Sequence, residues 1–259
     1  MNDQLPIFVI SLKSSIERRK QLSKHFNKIG ASFEWFDAVV GKDLTEEQID
    51  QLCHRETLIK YSAWLTRGAI GCSLSHYYLY LEIIKRNLPY AIIMEDDAIL
   101  NADFLAPLNT LVDELKTNEV IMLYYSGHNP LRIIAESKSP INTVYSLYTP
   151  LEVGKFGSTA AYIITNAACR TLSKVILPVR TGADGWDLFE AENGFDYFRC
   201  VYPRPVDTMD AKSTIGYVSN KNIARITNWM DKYKIFPFYQ ILRAKRNQLK
   251  ERMKRVEFV

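Results

Sequence analysis

The stretch Ile92-Ile93-Met94-Glu95-Asp96-Asp97 sets three carboxylates directly behind an apolar run. A short continuous apolar run is typical of a strand buried on both faces of a parallel sheet, and open α/β sheets bind ligands at the carboxyl ends of such strands. Three adjacent carboxylates repel one another unless something positive lies among them. Side chains alternate along a strand, so Glu95 and Asp97 share a face, where two hard oxygen ligands suit Mg²⁺ or Mn²⁺. The alternative is a solvated acidic turn that begins the next segment.

Apolar runs on either side of this stretch predict the rest of the sheet. They are Pro6–Leu12, Phe33–Val40, Tyr90–Met94, Val120–Tyr125 and Thr159–Ile164. An amphipathic helix is expected from about Ile16 to Ile29, and a β-α-β unit of this kind requires parallel strands joined by a right-handed crossover. We therefore predict an α/β fold built on a mostly parallel, Rossmann-type sheet with helices on both faces, and one antiparallel excursion in its second half.

Two more polar clusters are candidates for a binding site. The first, Gly68 to His76, is expected at the start of a helix, where free N–H groups and the helix dipole favour a phosphate or a ribose hydroxyl. Its alternative is a pair of glycines that allow close packing, with a histidine of the core. The second, Asp184 to Asp187, sets Trp186 among carboxylates, a pattern common in sugar sites because the ring stacks on a pyranose. Its alternative is a surface loop anchored by one buried tryptophan.

Composition excludes several classes of protein. The chain has 259 residues, of which 47% are hydrophobic and 24% charged, as in ordinary globular proteins. No apolar stretch approaches the ~18 residues of a membrane span and no signal peptide is evident, so a cytoplasmic protein is expected. The four cysteines are expected to be reduced and mostly buried. The four histidines show no HxH or HExxH pattern, which argues against a zinc enzyme.

The formal net charge of +4 divides unevenly along the chain. Residues 221–259 carry eleven Lys/Arg and three Asp/Glu, whereas residues 1–220 carry a net charge of −4. The acidic body argues against nucleic-acid binding, and the basic tail favours an anionic contact. Apolar residues recur at helical spacing from Phe238 to Val256, which is typical of an amphipathic helix on an anionic membrane surface. The alternative is a helix packed on the body or on a second subunit of a homodimer.

Four motifs follow one another along the chain. They are Val9-Ile10-Ser11-Leu12 with Ile16-Glu17-Arg18-Arg19, then Gly68 to His76, then Ile92 to Asp97, then Gly157 to Ile164. In this order they resemble glycosyltransferase family 25, the galactosyl- and glucosyltransferases of bacterial lipooligosaccharide, over residues 7–213. The resemblance implies a GT-A-like catalytic domain at 1–220, with the basic helical extension at 221–259. It further implies a UDP-sugar donor, a divalent metal (usually Mn²⁺, otherwise Mg²⁺) and inverting transfer of a hexose, galactose before glucose.

The resemblance also assigns roles residue by residue. Its metal motif falls on Glu95, Asp96 and Asp97, with Asp97 the first choice for metal contact and the other two for ribose or a metal-bound water. Positions that hold the donor fall on Ser11, Leu12, Arg18, Gly71, Ser75 and His76.

The sequence around the expected catalytic base departs from the family pattern. Family members carry an Asp after a Pro-Val pair, but here Arg-Thr-Gly-Ala separates Pro178-Val179 from the next carboxylate. Asp184 is therefore the first candidate and Asp187 the second. No histidine follows His128 to complete the metal ligands, so Asp207, Asp210 or a water would take that place.

The family implies a lipid-linked oligosaccharide acceptor, and hence a cytoplasmic enzyme attached peripherally to the inner face of the bacterial inner membrane. Two other classes of protein are alternatives. A nucleotidyltransferase that makes an activated sugar would need a glycine-rich phosphate loop after the first strand, where Lys13-Ser14-Ser15 stands. A non-enzymatic peripheral membrane adaptor would leave the acidic strand end unexplained.

Overall fold

The computed structural model describes residues 5–209 and 238–259. Its strands are β1 (Ile7–Ser11), β2 (Glu34–Asp37), β3 (Tyr90–Glu95), β4 (Ala98–Leu100), β5 (Glu119–Met122), β6 (Leu131–Ile133), β7 (Ser139–Pro140), β8 (Ser146–Tyr148), β9 (Ala161–Thr165), β10 (Tyr197–Tyr202), β11 (Val206–Thr208) and β12 (Val256–Phe258). Its helices are α1 (Ile16–Ile29), α2 (Glu46–Leu52), α3 (Arg55–Lys60), α4 (Arg67–Lys85), α5 (Leu105–Asp113), α6 (Asn166–Val175), α7 (Trp186–Ala191) and α8 (Phe238–Met253). Gly30, in the left-handed region with φ of 71°, ends α1 where the sequence predicts.

Eight of the described strands form one mixed sheet in the order β2-β1-β3-β9-β5-β10-β8-β7. The pairs β1–β2, β1–β3 and β5–β10 are parallel. The pairs β3–β9, β5–β9, β8–β10 and β7–β8 are antiparallel. Six of these eight strands therefore run in one direction, and β8 and β9 run against them. The predicted antiparallel excursion in the second half is confirmed, but with four antiparallel pairs among seven the pairing is mixed rather than mostly parallel. Every residue of β9 is buried, so its apolar run carries no information about strand direction.

Apolar side chains pack on both faces of the sheet, because neighbouring residues of a strand point in opposite directions. Phe8 of β1 joins a cluster that contains Leu79 of α4 and Leu172 of α6. Val9, the next residue, joins a second cluster with Phe26 of α1 and Leu108 of α5. Helices therefore cover both faces, as predicted.

Helix α4 begins at Arg67, one residue before the glycine-rich motif. Thr66 caps it by accepting a hydrogen bond from Ala69 N at 3.2 Å, so Gly68 to His76 forms its first turns. A Cβ on Gly71 would lie 2.8 Å from Gly41 N, so this glycine lets α4 approach the segment that follows β2. The side chain of Thr66, just before the motif, therefore sets the residue at which α4 begins.

The last residues pack on the body. Helix α8 ends at Met253, and Val256, which the helical spacing includes in the helix, lies in β12 instead. Pairing of β12 with β6 satisfies backbone groups of both strands, and the Phe258 ring contacts that of Tyr148 at a centroid distance of 5.4 Å. The predicted domain boundary after residue 220 lies outside the described residues. Within the part of the chain that the structure describes, no helix combines the length and apolarity that crossing a bilayer requires.

Candidate active site

A cavity of about 780 Å³ lies at the carboxyl ends of β1 and β3, beside the first turns of α4. Because β1 and β3 are parallel neighbours, the residues that follow them meet at one edge of the sheet. The cavity is lined by most of the residues assigned to the donor and metal: Ser11, Leu12, Arg18, Ser75, His76, Glu95 and Asp96. The basic side chains Lys13, Lys42 and Arg67 line it as well. Carboxylates and cations thus face one space.

Asp96 is held on both of its oxygens. The Ser11 hydroxyl donates a hydrogen bond to Oδ2 at 2.8 Å, and Arg18 Nη1 donates to Oδ1 at 2.8 Å. The Arg18 and Asp96 side chains are 19% and 9% exposed, so this ion pair is largely shielded from water. These contacts favour a positioning role for Asp96 over direct metal contact.

Glu95 lies between α4 and the segment that precedes β9. Thr159 Oγ1 donates a hydrogen bond to Glu95 Oε1 at 2.6 Å, and His76 Nε2 lies 3.8 Å from the same oxygen. Burial acts to raise the pKa of Glu95, but the neighbouring His76 and Thr159 outweigh it, and the pKa is lowered. Glu95 is therefore a charged carboxylate on the cavity wall.

Asp97 lies in the turn between β3 and β4. Its carbonyl oxygen accepts a hydrogen bond from Met209 N at 2.8 Å, which ties the turn to the residue after β11. Burial, together with the nearby charge of Glu95, raises the pKa of Asp97 to about 6. The negative charges of Glu95 and Asp97 therefore oppose one another at the end of β3.

His76 is fully buried, and one of its ring nitrogens is fixed by the core. Its Nδ1 lies 2.7 Å from the Tyr162 hydroxyl, which lies 2.8 Å from the Tyr80 hydroxyl. Its Nε2 has no hydrogen-bond partner and faces Glu95. Beside it, burial and then the charge of Glu95 raise the pKa of the Cys72 thiol well above its ordinary value.

Gly71 and Ser75 shape the wall. The Ser75 hydroxyl accepts a hydrogen bond from Val39 N at 2.8 Å and donates one to Gly71 O at 2.6 Å. Gly71 does not line the cavity, and its missing Cβ makes room for Gly41 instead. Both residues thus hold the segment after β2 against α4. For Gly71 this is the close packing expected as the alternative to a donor contact, whereas Ser75 also lines the cavity.

The two candidates for the base lie in different surroundings. Asp184 is exposed, and its Oδ2 accepts a hydrogen bond from Ser158 N at 2.9 Å. Ser158 adjoins Thr159, the hydrogen-bond partner of Glu95, so Asp184 is connected to the acidic cluster. Asp187 is also exposed and packs against Gly154. A Cβ added to Gly154 would lie 2.6 Å from the Cβ of Asp187. The geometry therefore favours Asp184.

Trp186 does not face the cavity. Its side chain is fully buried, and its ring makes edge contacts with Tyr162 and Phe189. A ring in this position cannot stack on a sugar, so the prediction of a sugar-stacking tryptophan is wrong. The stretch from Asp184 to Asp187 is instead a loop that the buried Trp186 side chain anchors, which is the alternative given for it above.

Asp207 lies in β11. This strand pairs with β4, and β4 begins directly after the acidic triplet. Lys254 Nζ lies 2.5 Å from Asp207 Oδ1, and the Asp207 side chain is 60% exposed. The carboxylate expected to complete the metal ligands is therefore engaged by the C-terminal segment. Asp210, the other carboxylate considered, lies outside the described residues.

Sequence reasoning missed Cys72, Ser158 and Thr159. The available signal for the last two is a pair of hydroxyl residues directly before a buried strand, within a motif already singled out. The signal for Cys72 is its position four residues before His76, which puts both side chains on one face of α4.

The comparisons with known proteins agree with these motifs. The model of glycosyltransferase family 25 (LPS biosynthesis protein) matches residues 4–185. The chain is 34% identical over 154 residues to lipooligosaccharide biosynthesis protein lic2B of Haemophilus influenzae, covering 50% of this chain and 55% of that protein. It is 31% identical over 146 residues to procollagen galactosyltransferase 1-A of Xenopus laevis, covering 54% of this chain and 24% of that protein.

These matches span about a quarter to about half the length of the curated relatives. Among solved structures, a glycosyltransferase involved in the glycosylation of the major capsid of PBCV-1 is similar over 67% of this chain and 66% of that chain, at 11% identity and a TM-score of 0.30. A similarity this weak adds nothing to the fold described above. The family model, by contrast, matches well over half of the sequence, and the chain belongs to glycosyltransferase family 25.

Proposed function

We propose that the protein is a metal-dependent, inverting glycosyltransferase that moves a hexose from a UDP-sugar to a lipooligosaccharide acceptor, with galactose favoured over glucose. The observation that carries this proposal is the cavity at the ends of β1 and β3, where the acidic strand end faces basic side chains. A nucleoside diphosphate needs both, because its phosphates bind a cation and basic groups together. Membership of the family supports the same reaction.

Glu95 and Asp97 are the residues that we propose hold the divalent cation, Mn²⁺ first and Mg²⁺ second. Their fit rests on two neighbouring carboxylates at a strand end, where burial and the charge of Glu95 raise the pKa of Asp97 despite the nearby Arg18. When bound, the cation offsets the charge that develops on the departing diphosphate. Asp207 joins this set only if Lys254 releases it.

The cavity wall supplies the contacts with the donor. Lys13 and Lys42 are exposed on it, and their ammonium groups attract the phosphates. Ser11 and Arg18 act chiefly through Asp96, which they hold in place beside Glu95. Leu12 offers an apolar surface to the nucleoside at the end of β1.

Asp184 is the base in this proposal. In an inverting displacement the acceptor hydroxyl attacks the anomeric carbon, its proton passes to a carboxylate, and the bond between that carbon and UDP breaks. Asp184 is exposed to an incoming acceptor and is oriented by the N–H of Ser158. Asp187 is the second choice.

The relatives and the basic tail support the acceptor and the place of action in this proposal. The similarity to lic2B, named for lipooligosaccharide biosynthesis, supports a lipid-linked oligosaccharide acceptor. The exposed basic residues Lys245 and Arg252 of α8 support attachment to the anionic inner face of the bacterial inner membrane.

Calorimetry and a UDP-release assay test the proposal. We expect the purified protein to bind and consume UDP-galactose in the presence of Mn²⁺, with UDP-glucose next and UDP-GlcNAc and UDP-GalNAc behind. Addition of a truncated lipooligosaccharide should accelerate UDP release. Failure of all four UDP-sugars to bind, with either Mn²⁺ or Mg²⁺ present, would overturn the proposal.

A further inference from the structure

Three side chains that offer metal ligands converge on the cavity wall. Cys72 Sγ, His76 Nε2 and a carboxylate oxygen of Glu95 all lie within 4.8 Å of one another. Cys72 and His76 stand four residues apart on α4, so they project from the same face of the helix toward the end of β3. Two regular elements, rather than a loop, therefore hold the three ligands.

The unpaired nitrogen of His76 is the second observation that points to a ligand. Its side chain is 0% exposed, and Nε2 makes no hydrogen bond, since Glu95 Oε1 at 3.8 Å is too distant for one. Buried polar atoms nearly always have a partner, so an unpaired one calls for an explanation, and a bound ion is one that fits the neighbouring ligands. The other ring nitrogen is within hydrogen-bond distance of the Tyr162 hydroxyl. When a cation is bound, Nδ1 donates its proton to this hydroxyl and Nε2 gives its lone pair to the metal beside Glu95.

The chemistry of the three ligands selects the cation. Sulfur, imidazole nitrogen and one carboxylate oxygen suit Zn²⁺ or Co²⁺, whereas Mn²⁺ and Mg²⁺ prefer sites made of oxygens. Ligands at about 2.0–2.3 Å from a tetrahedral Zn²⁺ lie about 3.3–3.8 Å from one another. The separation of 3.8 Å between His76 and Glu95 is already close to this spacing. Because Cys72 and Glu95 line the cavity, a fourth position is left for water or a substrate oxygen.

We propose that Cys72, His76 and Glu95 form a site for a transition-metal cation of the Zn²⁺ type, next to the all-oxygen pair of Glu95 and Asp97. Binding forms a bond from sulfur to metal and releases the thiol proton to solvent, without oxidation or reduction. The histidine count and spacing alone argue against a zinc enzyme, and the site becomes visible only when α4 and β3 are packed together. The inference does not depend on sugar transfer, because the cation binds the protein without donor or acceptor.

Cobalt titration is the direct test. The purified full chain, stripped of metal with a chelator, is titrated with Co²⁺ while the thiolate-to-cobalt charge-transfer absorption is recorded in the near ultraviolet. We expect this band to saturate at one equivalent of Co²⁺ and to disappear when Zn²⁺ is added.

Four variants locate the site. Cys72→Ser should abolish the band, whereas Cys53→Ser, which alters a buried cysteine in a different apolar cluster, should keep it. Asp97→Asn should also keep it, which separates this site from the carboxylate pair. Tyr162→Phe removes the hydroxyl that orients His76 and should weaken binding about 10–100-fold. Circular dichroism and thermal unfolding establish that each variant is folded.

The wild-type protein gives an independent readout. X-ray absorption at the zinc edge should show one sulfur neighbour with nitrogen and oxygen for the remaining ligands. A folded wild type that shows no charge-transfer band in excess Co²⁺, a band that persists in Cys72→Ser, or a zinc shell without sulfur would each overturn the assignment.

Discussion

Ser11 and Asp96, 85 residues apart in the sequence, are joined by a hydrogen bond of 2.8 Å from the Ser11 hydroxyl to Asp96 Oδ2. The bond fastens the last residue of β1 to the residue after β3, and Arg18 reaches the same carboxylate from α1. Both oxygens of Asp96 are thus engaged by the protein itself, whereas Thr159 holds only one oxygen of the neighbouring Glu95.

Replacing the arginine of this arrangement should destabilise the fold. In Arg18→Met the shielded Asp96 carboxylate loses its cationic partner, and we expect the free energy of unfolding to fall by about 2–3 kcal/mol in urea titrations. Arg55→Met is the control, since its pair with Asp50 is 71% and 44% exposed and should contribute less than about 0.5 kcal/mol. Equal losses in the two variants would contradict the shielding of Asp96.

Asp97→Asn should separate activity from stability. Loss of a metal ligand should lower kcat/KM for the UDP-sugar at least about 100-fold, because the cation contributes several kcal/mol to the departure of the diphosphate. The fold should survive, since Asn removes a charge that burial and Glu95 already oppose. Steady-state kinetics in Mn²⁺ and a thermal melt measure the two effects. Asp50→Asn on the exposed surface of α2 is the control, and unchanged activity in Asp97→Asn would remove Asp97 from the metal site.

The identity of the base can be settled by a matched pair of variants. Asp184→Asn should lower kcat about 100-fold or more while UDP binding by calorimetry stays within about twofold, because a base acts on the acceptor rather than on the nucleotide. Asp187→Asn should leave kcat within a few-fold of the wild type, since its carboxylate lies on the segment around Gly154. The reverse order of effects would assign the role to Asp187.

Charge reversal on α8 tests the membrane contact. The double change Lys245→Glu with Arg252→Glu alters two exposed residues and should weaken co-sedimentation with vesicles rich in anionic lipid at least about tenfold, as each basic residue near such a surface contributes about 1 kcal/mol. Lys60→Glu, an exposed change on α3, is the control. Equal binding of the wild type to neutral and anionic vesicles would argue against the contact.

The strands and helices near the site could be predicted because their apolar runs and breakers are local signals. Ile7–Ser11 and Tyr90–Glu95 lie within a residue or so of the predicted strands, and α1 has the predicted bounds. Direction could not be predicted for Ala161–Thr165, because a strand buried on both faces reads the same in either orientation. The strand that contains Val256 could not be predicted either, because it pairs with β6, a segment more than a hundred residues earlier.

For the candidate site, too, local sequence features could be predicted and remote contacts could not. Glu95 to Asp97 directly follow the apolar run of a buried strand in the sequence. A carboxylate cluster at the sheet edge could therefore be predicted. The partners that distinguish its members are remote: Ser11 and Arg18 for Asp96, and Thr159 for Glu95. Contacts over such distances in sequence depend on the packed fold and leave no periodic trace.

The position of β9 between β3 and β5 has a consequence for how the protein is made. Until residues 161–165 are available, β3 and β5 cannot belong to one sheet, and each offers an unpaired edge of the kind that promotes aggregation. The same insertion brings Ala160 O to Glu95 N at 2.8 Å and Thr159 to the Glu95 carboxylate. A fragment that stops before this strand would therefore contain every member of the acidic triplet and still lack the framework that sets Glu95 in place.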